Sequence, residues 1–347
     1  MENYEPIFKI TPEILTAVYE IAADLERIDI IREKALTPQL RKENRIKTIH
    51  SSLWIEANSL TLEQVTDIVE GKHVIGSAKD ILEVKNAIIA YDELLDCNPY
   101  NERDLLRQHG LLMKGFDNAG KYRNAGVGVF DGDVPIHVAP PHSQVPVLMG
   151  QLLNWVKKAK LPQVVKSCIF HYEFEYIHPF MDGNGRMGRM WQTLLLYQEN
   201  PVFAWLPVET IVAHNQQEYY RAIRRSTHHN DSGIFAAFML SAIKQVTAEF
   251  KEKYNRGEIK NESNKDAGVN AGVNAGVKLT ETQKRILSII EKDNTVSQTE
   301  IAKKLKVNES TIYRNIAKMK SLKILSRVGS DKSGQWIIKR LNLDLLD

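Results

Sequence analysis

The sequence predicts a mainly α protein: a helical bundle broken by one β-hairpin and followed by a small α+β module. Three observations carry this. Helix-start signals recur through the first half, a single stretch alternates at the period of a strand, and the basic C-terminal part holds short helical patterns followed by strand-like runs.

Thr11-Pro12 and Thr37-Pro38 each set an N-cap residue before a proline, whose fixed φ and missing N–H suit the first helical position. Thr61-Leu62-Glu63-Gln64 has the form of a capping box, and Gly71 closes the helix it starts. Further on, Val164, Val165, Cys168, Ile169, Tyr172 and Tyr176 recur at helical spacing with charges between them. Against this background Val127, Val129, Val134, Ile136 and Val138 alternate around Asp131-Gly132 within Gly126 to Val138, which predicts a tight hairpin. Pro135 cannot donate to a ladder, so its strand is an edge.

With 347 residues the chain has room for two or three domains, and 43% apolar with 26% charged residues is a globular profile able to bury a sizeable core. Cys97 and Cys168 form no zinc or disulfide pattern, and Met1-Glu2-Asn3-Tyr4-Glu5 does not read as a signal peptide. A cytoplasmic protein is therefore expected. Uninterrupted apolar runs fall short of the ~18 residues of a membrane span, so no membrane partner is expected.

Charge is uneven. From Lys278 onward 15 Lys/Arg stand against 8 Asp/Glu, a net +7, which leaves −4 for the remainder of a chain whose total is +3. Asp266-Ala267-Gly268-Val269 is followed by Asn270-Ala271-Gly272-Val273 and Asn274-Ala275-Gly276-Val277, a tandem repeat without helical period that reads as a flexible linker. The expected organisation is a helical region over 1–110, a second domain over 111–250, a linker over 251–277 and a module over 278–347.

In that last module Thr280-Glu281-Thr282-Gln283 and Ser297-Gln298-Thr299-Glu300 cap two helices, and Asn308 precedes a third. Ile312, Ile316, Met319 and Leu322 face inward at helical spacing, leaving Ser310, Thr311, Arg314 and Lys318 outside. Lys323–Ser326 and Gln335–Lys339 then bracket a glycine- and serine-rich turn over 329–334. The module resembles a winged helix-turn-helix. That resemblance implies DNA as a partner of the third helix, while the same fold also serves for protein docking, so DNA and a homodimer both stay open.

The densest chemistry lies in His178-Pro179-Phe180-Met181-Asp182-Gly183-Asn184-Gly185-Arg186-Met187-Gly188-Arg189. Imidazole accepts a proton near neutral pH, so His178 is a candidate base. Asp182 offers oxygen to a hard divalent cation. Gly183 and Gly185 let the backbone around Asn184 approach a ligand closely, so that successive N–H groups can form an anion-binding concavity at a helix start. Arg186 and Arg189, three apart, share a helix face from which both can fork onto phosphate oxygens. Gly183 to Gly188 also spells G-x-G-x-x-G, but a helical pattern precedes it where the dinucleotide fingerprint needs a strand, so a Rossmann unit is not predicted. Neither cysteine falls in the run and no serine with its own base is visible, so no covalent enzyme intermediate is indicated.

The run resembles the signature of the Fic domain family, H-P-F-x-[D/E]-G-N-G-R-x-x-R, at every fixed position. The resemblance implies a Fic-type helical bundle with a β-hairpin flap and transfer of AMP from ATP to a Ser, Thr or Tyr hydroxyl of a target protein. His178 would be the general base and Asp182 would hold Mg²⁺. The Gly183–Gly185 backbone and the Asn184 side chain would hold the α-phosphate, Arg186 the β-phosphate and Arg189 the γ-phosphate. Phe180 would anchor the loop in the core. Asn215, Tyr219 and Tyr220 fall in the segment that helps enclose adenine, and Val127, Val129, Val134 and Ile136 belong to the flap, whose edge would align an extended target segment by strand addition. Ser51 to Asn58 resembles the inhibitory helix of many Fic proteins, [S/T]-x-x-x-E-[G/N]: Ser52 and Glu56 fit, while Ala57 stands where Gly or Asn is usual. Glu56 would then pair with Arg189 and plug the γ-phosphate place. Two alternatives stay open, a Fic hydrolase removing AMP and a DNA-binding regulator whose Fic portion senses nucleotide.

Overall fold

The computed structural model describes residues 5–35, 38–131, 134–256, 281–305, 307, 312, 315–316, 319, 325–328 and 335–338. The chain divides into two compact units, Met1–Gly268 and Val269–Asp347, so that residues 1–110 and 111–250 lie in one unit.

In the first unit the described helices are α1 (Pro12–Ala35), α2 (Pro38–Ile55), α3 (Leu62–Val69), α4 (Ala78–Glu93), α5 (Glu102–Leu112), α6 (Val145–Lys158), α7 (Gln163–Ile177), α8 (Asn184–Glu199), α9 (Val208–His214), α10 (Gln216–His229) and α11 (Ser232–Asn255). The capping box forms as expected: Thr61 Oγ1 accepts the Gln64 N–H and Gln64 Oε1 accepts the Thr61 N–H. The alternating segment forms an antiparallel hairpin of β1 (Gly128–Asp131) and β2 (Val134–Val138), with an irregularity between Val129 and Phe130 and Pro135 opposite Phe130.

Helix α7 carries apolar side chains around most of its circumference, and a helix of that kind is stable only when buried on all sides. It lies between two cores. Val165, Cys168, Ile169 and Tyr172 pack with α1, α9, α10 and α11, while Phe170, Phe174 and Ile177 pack with α2, α4, α5, α6 and α8. Each fully buried large side chain contributes about 1.5–3 kcal/mol, so the two helices flanking the His178–Gly183 bend are among the best anchored parts of the unit. Trp191 of α8 is fully buried and satisfies its indole N–H on the Pro99 carbonyl at 3.0 Å.

Helix α11 is long and apolar enough, by length and composition, to cross a membrane. Uninterrupted apolar runs did not reveal it because scattered polar residues break the run while leaving the mean hydropathy high. More than half of its apolar window is buried in the bundle, where Phe235, Met239, Leu240 and Ile243 join the first core.

The second unit contains α12 (Glu281–Lys292), α13 (Gln298–Leu305) and an antiparallel pair, β3 (Leu325–Val328) and β4 (Gln335–Ile338). Ser297 and Glu300 form the expected reciprocal cap. Ile286, Ile290, Ile301, Ile312, Ile316, Met319 and Trp336 build its core. The linker repeat, Ser310, Thr311, Arg314, Lys318 and the turn over 329–334 lie outside the described residues.

Candidate active site

Pro179 ends α7, because helical backbone is disfavoured before proline. His178 accordingly takes a left-handed conformation, φ 49° and ψ 63°. That state costs a non-glycine residue about 1–2 kcal/mol and persists only where its surroundings enforce it. Here the His178 N–H donates to the Phe174 carbonyl at 2.9 Å, and its own carbonyl accepts Arg123 Nε at 2.7 Å. Its Nδ1 donates to the Glu175 carbonyl at 3.4 Å, which makes Nε2 the ring's lone-pair nitrogen.

Two residues that the sequence gave no reason to select hold this bend. Buried Arg123 also donates to the carbonyls of Ala125, Pro140 and Ile177, so one guanidinium joins both legs of the hairpin to the His178 peptide. Nothing local distinguishes it among 46 basic residues. His109 of α5 stacks flat on Phe180, with centroids 3.6 Å apart at 3°, beneath the loop. Gly120 donates its N–H into His109 Nδ1 at 2.9 Å, so Nε2–H donates to the Asp182 carbonyl at 3.0 Å. Burial above all, with the Arg186 charge adding to it, pushes this ring down to about 4. An unfolded histidine protonates near 6.5, so the neutral ring's contribution to stability is whole above that pH and is lost as pH falls toward 4. An NMR titration should find the His109 midpoint near 4, and a midpoint of 6 or above would show that the ring is not locked.

Gly183 opens α8 with φ 80°, and a Cβ there would meet Met113 Sδ at 2.8 Å. Only glycine fits. The Asn184 side chain departs from the expected phosphate contact: its amide donates to the Phe180 carbonyl and accepts the Phe180 N–H, both at 2.9 Å. It braces the bend through one Nδ2–H and one Oδ1 lone pair, and backbone N–H at the start of α8 is placed for an anion beside it. Asp182 is the exposed carboxylate of the run, its side chain 60% accessible and paired with Arg186 Nη2 at 2.9 Å. Buried Arg186 also reaches Glu83 of α4 at 3.0 Å, and Glu83 in turn accepts from Asn58 at 2.9 Å.

Arg189 is held by the end of α2. Nε donates to Ser52 Oγ at 3.2 Å, while Nη2 donates to the Ser52 carbonyl at 2.9 Å and to Glu56 Oε1 at 2.8 Å. The Glu56 carboxylate also lies against Gly185, where a Cβ would collide with Oε1. Ser52, Glu56, Gly185 and Arg189 thus meet at one point. On the other side, Gln216 and Tyr220 of α10 both donate to the Ile55 carbonyl, at 2.9 and 3.3 Å.

The segment expected to enclose adenine separates by burial. Tyr219 is 1% exposed, its hydroxyl on His171 Nε2 at 3.1 Å, which makes it a core residue out of reach of a base. Asn215 and Tyr220 are exposed at the α9–α10 junction. Val127 is half-buried beside β1, and the side chains of Val129, Val134 and Ile136 lie outside what the structure describes.

The Fic/DOC family profile matches residues 99–196 and a winged helix-turn-helix DNA-binding profile matches 279–325. A crystal structure of a Fic family protein from Desulfovibrio desulfuricans G20 is 37% identical, with a TM-score of 0.70, covering 97% of this chain and 99% of that one. The chain belongs to the Fic family. Among curated relatives, a probable protein adenylyltransferase of Aquifex aeolicus is 30% identical over 57% of this chain and 58% of its own length. The protein adenylyltransferase Fic of Nematostella vectensis is 29% identical over 59% of this chain and 50% of its own. The chain therefore spans about half the length of the curated relatives it matches. A Fic-domain signaling protein of Bacteroides thetaiotaomicron, 18% identical with a TM-score of 0.57 over 71% of this chain and 98% of that one, shares the fold.

In this Fic protein the departure at Ala57 has a visible cost. Helix α2 closes with the Asn58 N–H on the Leu53 carbonyl and the Ala57 N–H on the Trp54 carbonyl, an arrangement that puts Ala57 in the left-handed region at φ 63°. Glycine and asparagine suit that position because the strain there comes from Cβ. Ala57→Gly should raise stability by about 1 kcal/mol, read as a higher thermal midpoint, and a midpoint that stays or falls would remove the account.

Proposed function

We propose that this Fic protein is a protein adenylyltransferase, moving AMP from ATP to a Ser, Thr or Tyr hydroxyl of a target protein and restrained by Glu56. The observation that carries the reading is the convergence of His178, the Gly183–Gly185 bend, Arg186 and Arg189 with the Glu56 carboxylate against both Arg189 and Gly185. A carboxylate seated on a phosphate-binding arginine occupies the charge that a γ-phosphate needs.

In this mechanism the backbone at the start of α8 and the two arginines bind the triphosphate, and His178 Nε2 takes the proton of the target hydroxyl as its oxygen attacks the α-phosphorus. The leaving group is pyrophosphate. A divalent cation fits at Asp182: Mg²⁺ needs only one or two carboxylates beside phosphate and water, and Asp182 is an exposed carboxylate next to the bend. When bound, it neutralises charge on the phosphates. The hairpin is the docking edge for the target, with Arg123 carrying its position to His178. DNA binding by the C-terminal unit is supported by its net +7 and its winged-helix match, and is tested by a binding constant to duplex DNA that falls steeply with salt.

The test is incubation of the purified protein with labelled ATP and cell lysate, followed by mass analysis for AMP on hydroxyl side chains. Absence of labelled protein even from the Glu56→Gly form would end the reading. Loss of AMP from a pre-modified protein would favour the hydrolase.

A further inference from the structure

Glu175, two residues before the end of α7, is a carboxyl group without an assigned role. Its side chain is 11% exposed, and Oε1 is buried with no hydrogen-bond partner. Buried acceptors are almost always satisfied, so an orphan of this kind asks for an explanation. Oε2 lies 3.9 Å from His178 Nδ1, and Oε1 lies 4.0 Å from His171 Nε2 and close to Gly188, where even a Cβ would stand 3.2 Å away.

His171 is not the partner. Its Nε2 faces the Tyr219 hydroxyl and its Nδ1 lies 2.7 Å from Gln192 Oε1, and burial holds the ring neutral by pushing it down to about 3. The other groups facing Glu175 are Glu56 beyond α2, Arg189 of α8, and Tyr219 and Tyr220 of α10. Oε2 itself faces the imidazole of His178 at 3.9 Å, and the Nδ1–H of that ring already points back along α7 toward the Glu175 carbonyl.

We propose that Glu175 is a positioning residue for His178, its carboxyl group accepting the Nδ1–H of the imidazole when the site is in its transferring state. The inference rests on the transfer reading above. A short side-chain rotation closes 3.9 Å to hydrogen-bond length, fixing the tautomer with the Nε2 lone pair toward the target. In the transfer step the hydroxyl proton passes to Nε2, the oxygen lone pair forms the bond to the α-phosphorus, and the electrons of the broken P–O bond leave with pyrophosphate. Glu175 takes no proton. It shares the Nδ1–H and steadies the imidazolium that forms, as carboxylates do for histidine bases elsewhere.

Burial first, and the Glu56 carboxylate next, push the Glu175 carboxyl up to about 8 against the pull of Arg189. The carboxylate, the better acceptor, is therefore gained as pH rises through about 8 while Glu56 is in place, and at lower pH once Glu56 is removed.

The test uses the full chain carrying Glu56→Gly as parent and compares Glu175→Gln and Glu175→Asp in that background. Glu175→Gln should lower kcat about tenfold with unchanged ATP affinity and should lose the rise in rate that carboxylate formation supplies, whereas Glu175→Asp should keep that rise. A Gln variant with the parent's pH profile overturns the proposal, and so does one whose defect lies in ATP affinity, which would assign Glu175 to Arg189. If the parent transfers no AMP, the transfer reading itself fails. NMR then decides the positioning: a His178 midpoint lower in the Gln variant than in the parent supports it, and equal midpoints overturn it.

Discussion

Glu56→Gly should raise the rate of AMP transfer by about two powers of ten. The glutamate follows the last residue of α2, at the negative end of a helix dipole, where a carboxylate is locally unfavourable. What holds it there is Arg189, which is 2% exposed. Removing one partner of a buried pair costs about 3–5 kcal/mol in general, and Glu56 is 30% exposed, so the lower end applies, about 3 kcal/mol. Recovered as access for the γ-phosphate, that energy corresponds to about a hundredfold in rate. The same substitution leaves Arg189 with Ser52 as its remaining α2 partner, so the variant without nucleotide should melt below the unmodified chain and regain the difference with saturating ATP. Labelling at the unmodified rate, together with an unchanged melting point, would remove the plug.

His178→Asn should reduce transfer by about 10²–10⁴ while ATP binds as before. Asparagine is the informative choice because it tolerates the left-handed backbone at φ 49°, so the bend and its bonds to Phe174 and Arg123 survive while the base is lost. Alanine removes the base equally but places a residue less suited to that conformation, and any further loss relative to asparagine measures the cost of disturbing the bend. Combined with Glu56→Gly, His178→Asn should be inactive yet bind nucleotide tightly. Full labelling activity in that double variant would transfer the chemistry to another residue.

The parts of the site that were legible from sequence are those written in consecutive residues. The twelve-residue run from His178 to Arg189 is too specific for an ordinary turn, and the caps at Thr61 and Ser297 are satisfied by partners three residues away. Proline after the left-handed His178 and glycine at Gly183 likewise act locally. What stayed hidden depends on contacts across the fold. Arg123 and His109 meet the bend from 55 and 73 positions upstream, and Glu83 reaches Arg186 from 103. Tyr219 and Asn184 show the converse limit: the residue type suits a ligand, but each has its polar atoms engaged within the protein, which only packing reveals. The left-handed state of Ala57 gives a physical reason for the glycine or asparagine usual there, a reason the pattern alone does not state.

Among the described residues, the oxygens that Arg123 grips belong to the main chain. Carbonyls look alike whatever side chain accompanies them, so the span from Gly126 to Ala139 is fastened without regard to its own composition. Under the proposed transfer role, exchanging its residues changes the client while the distance from that span to the imidazole is kept by an anchor that does not read the sequence it holds.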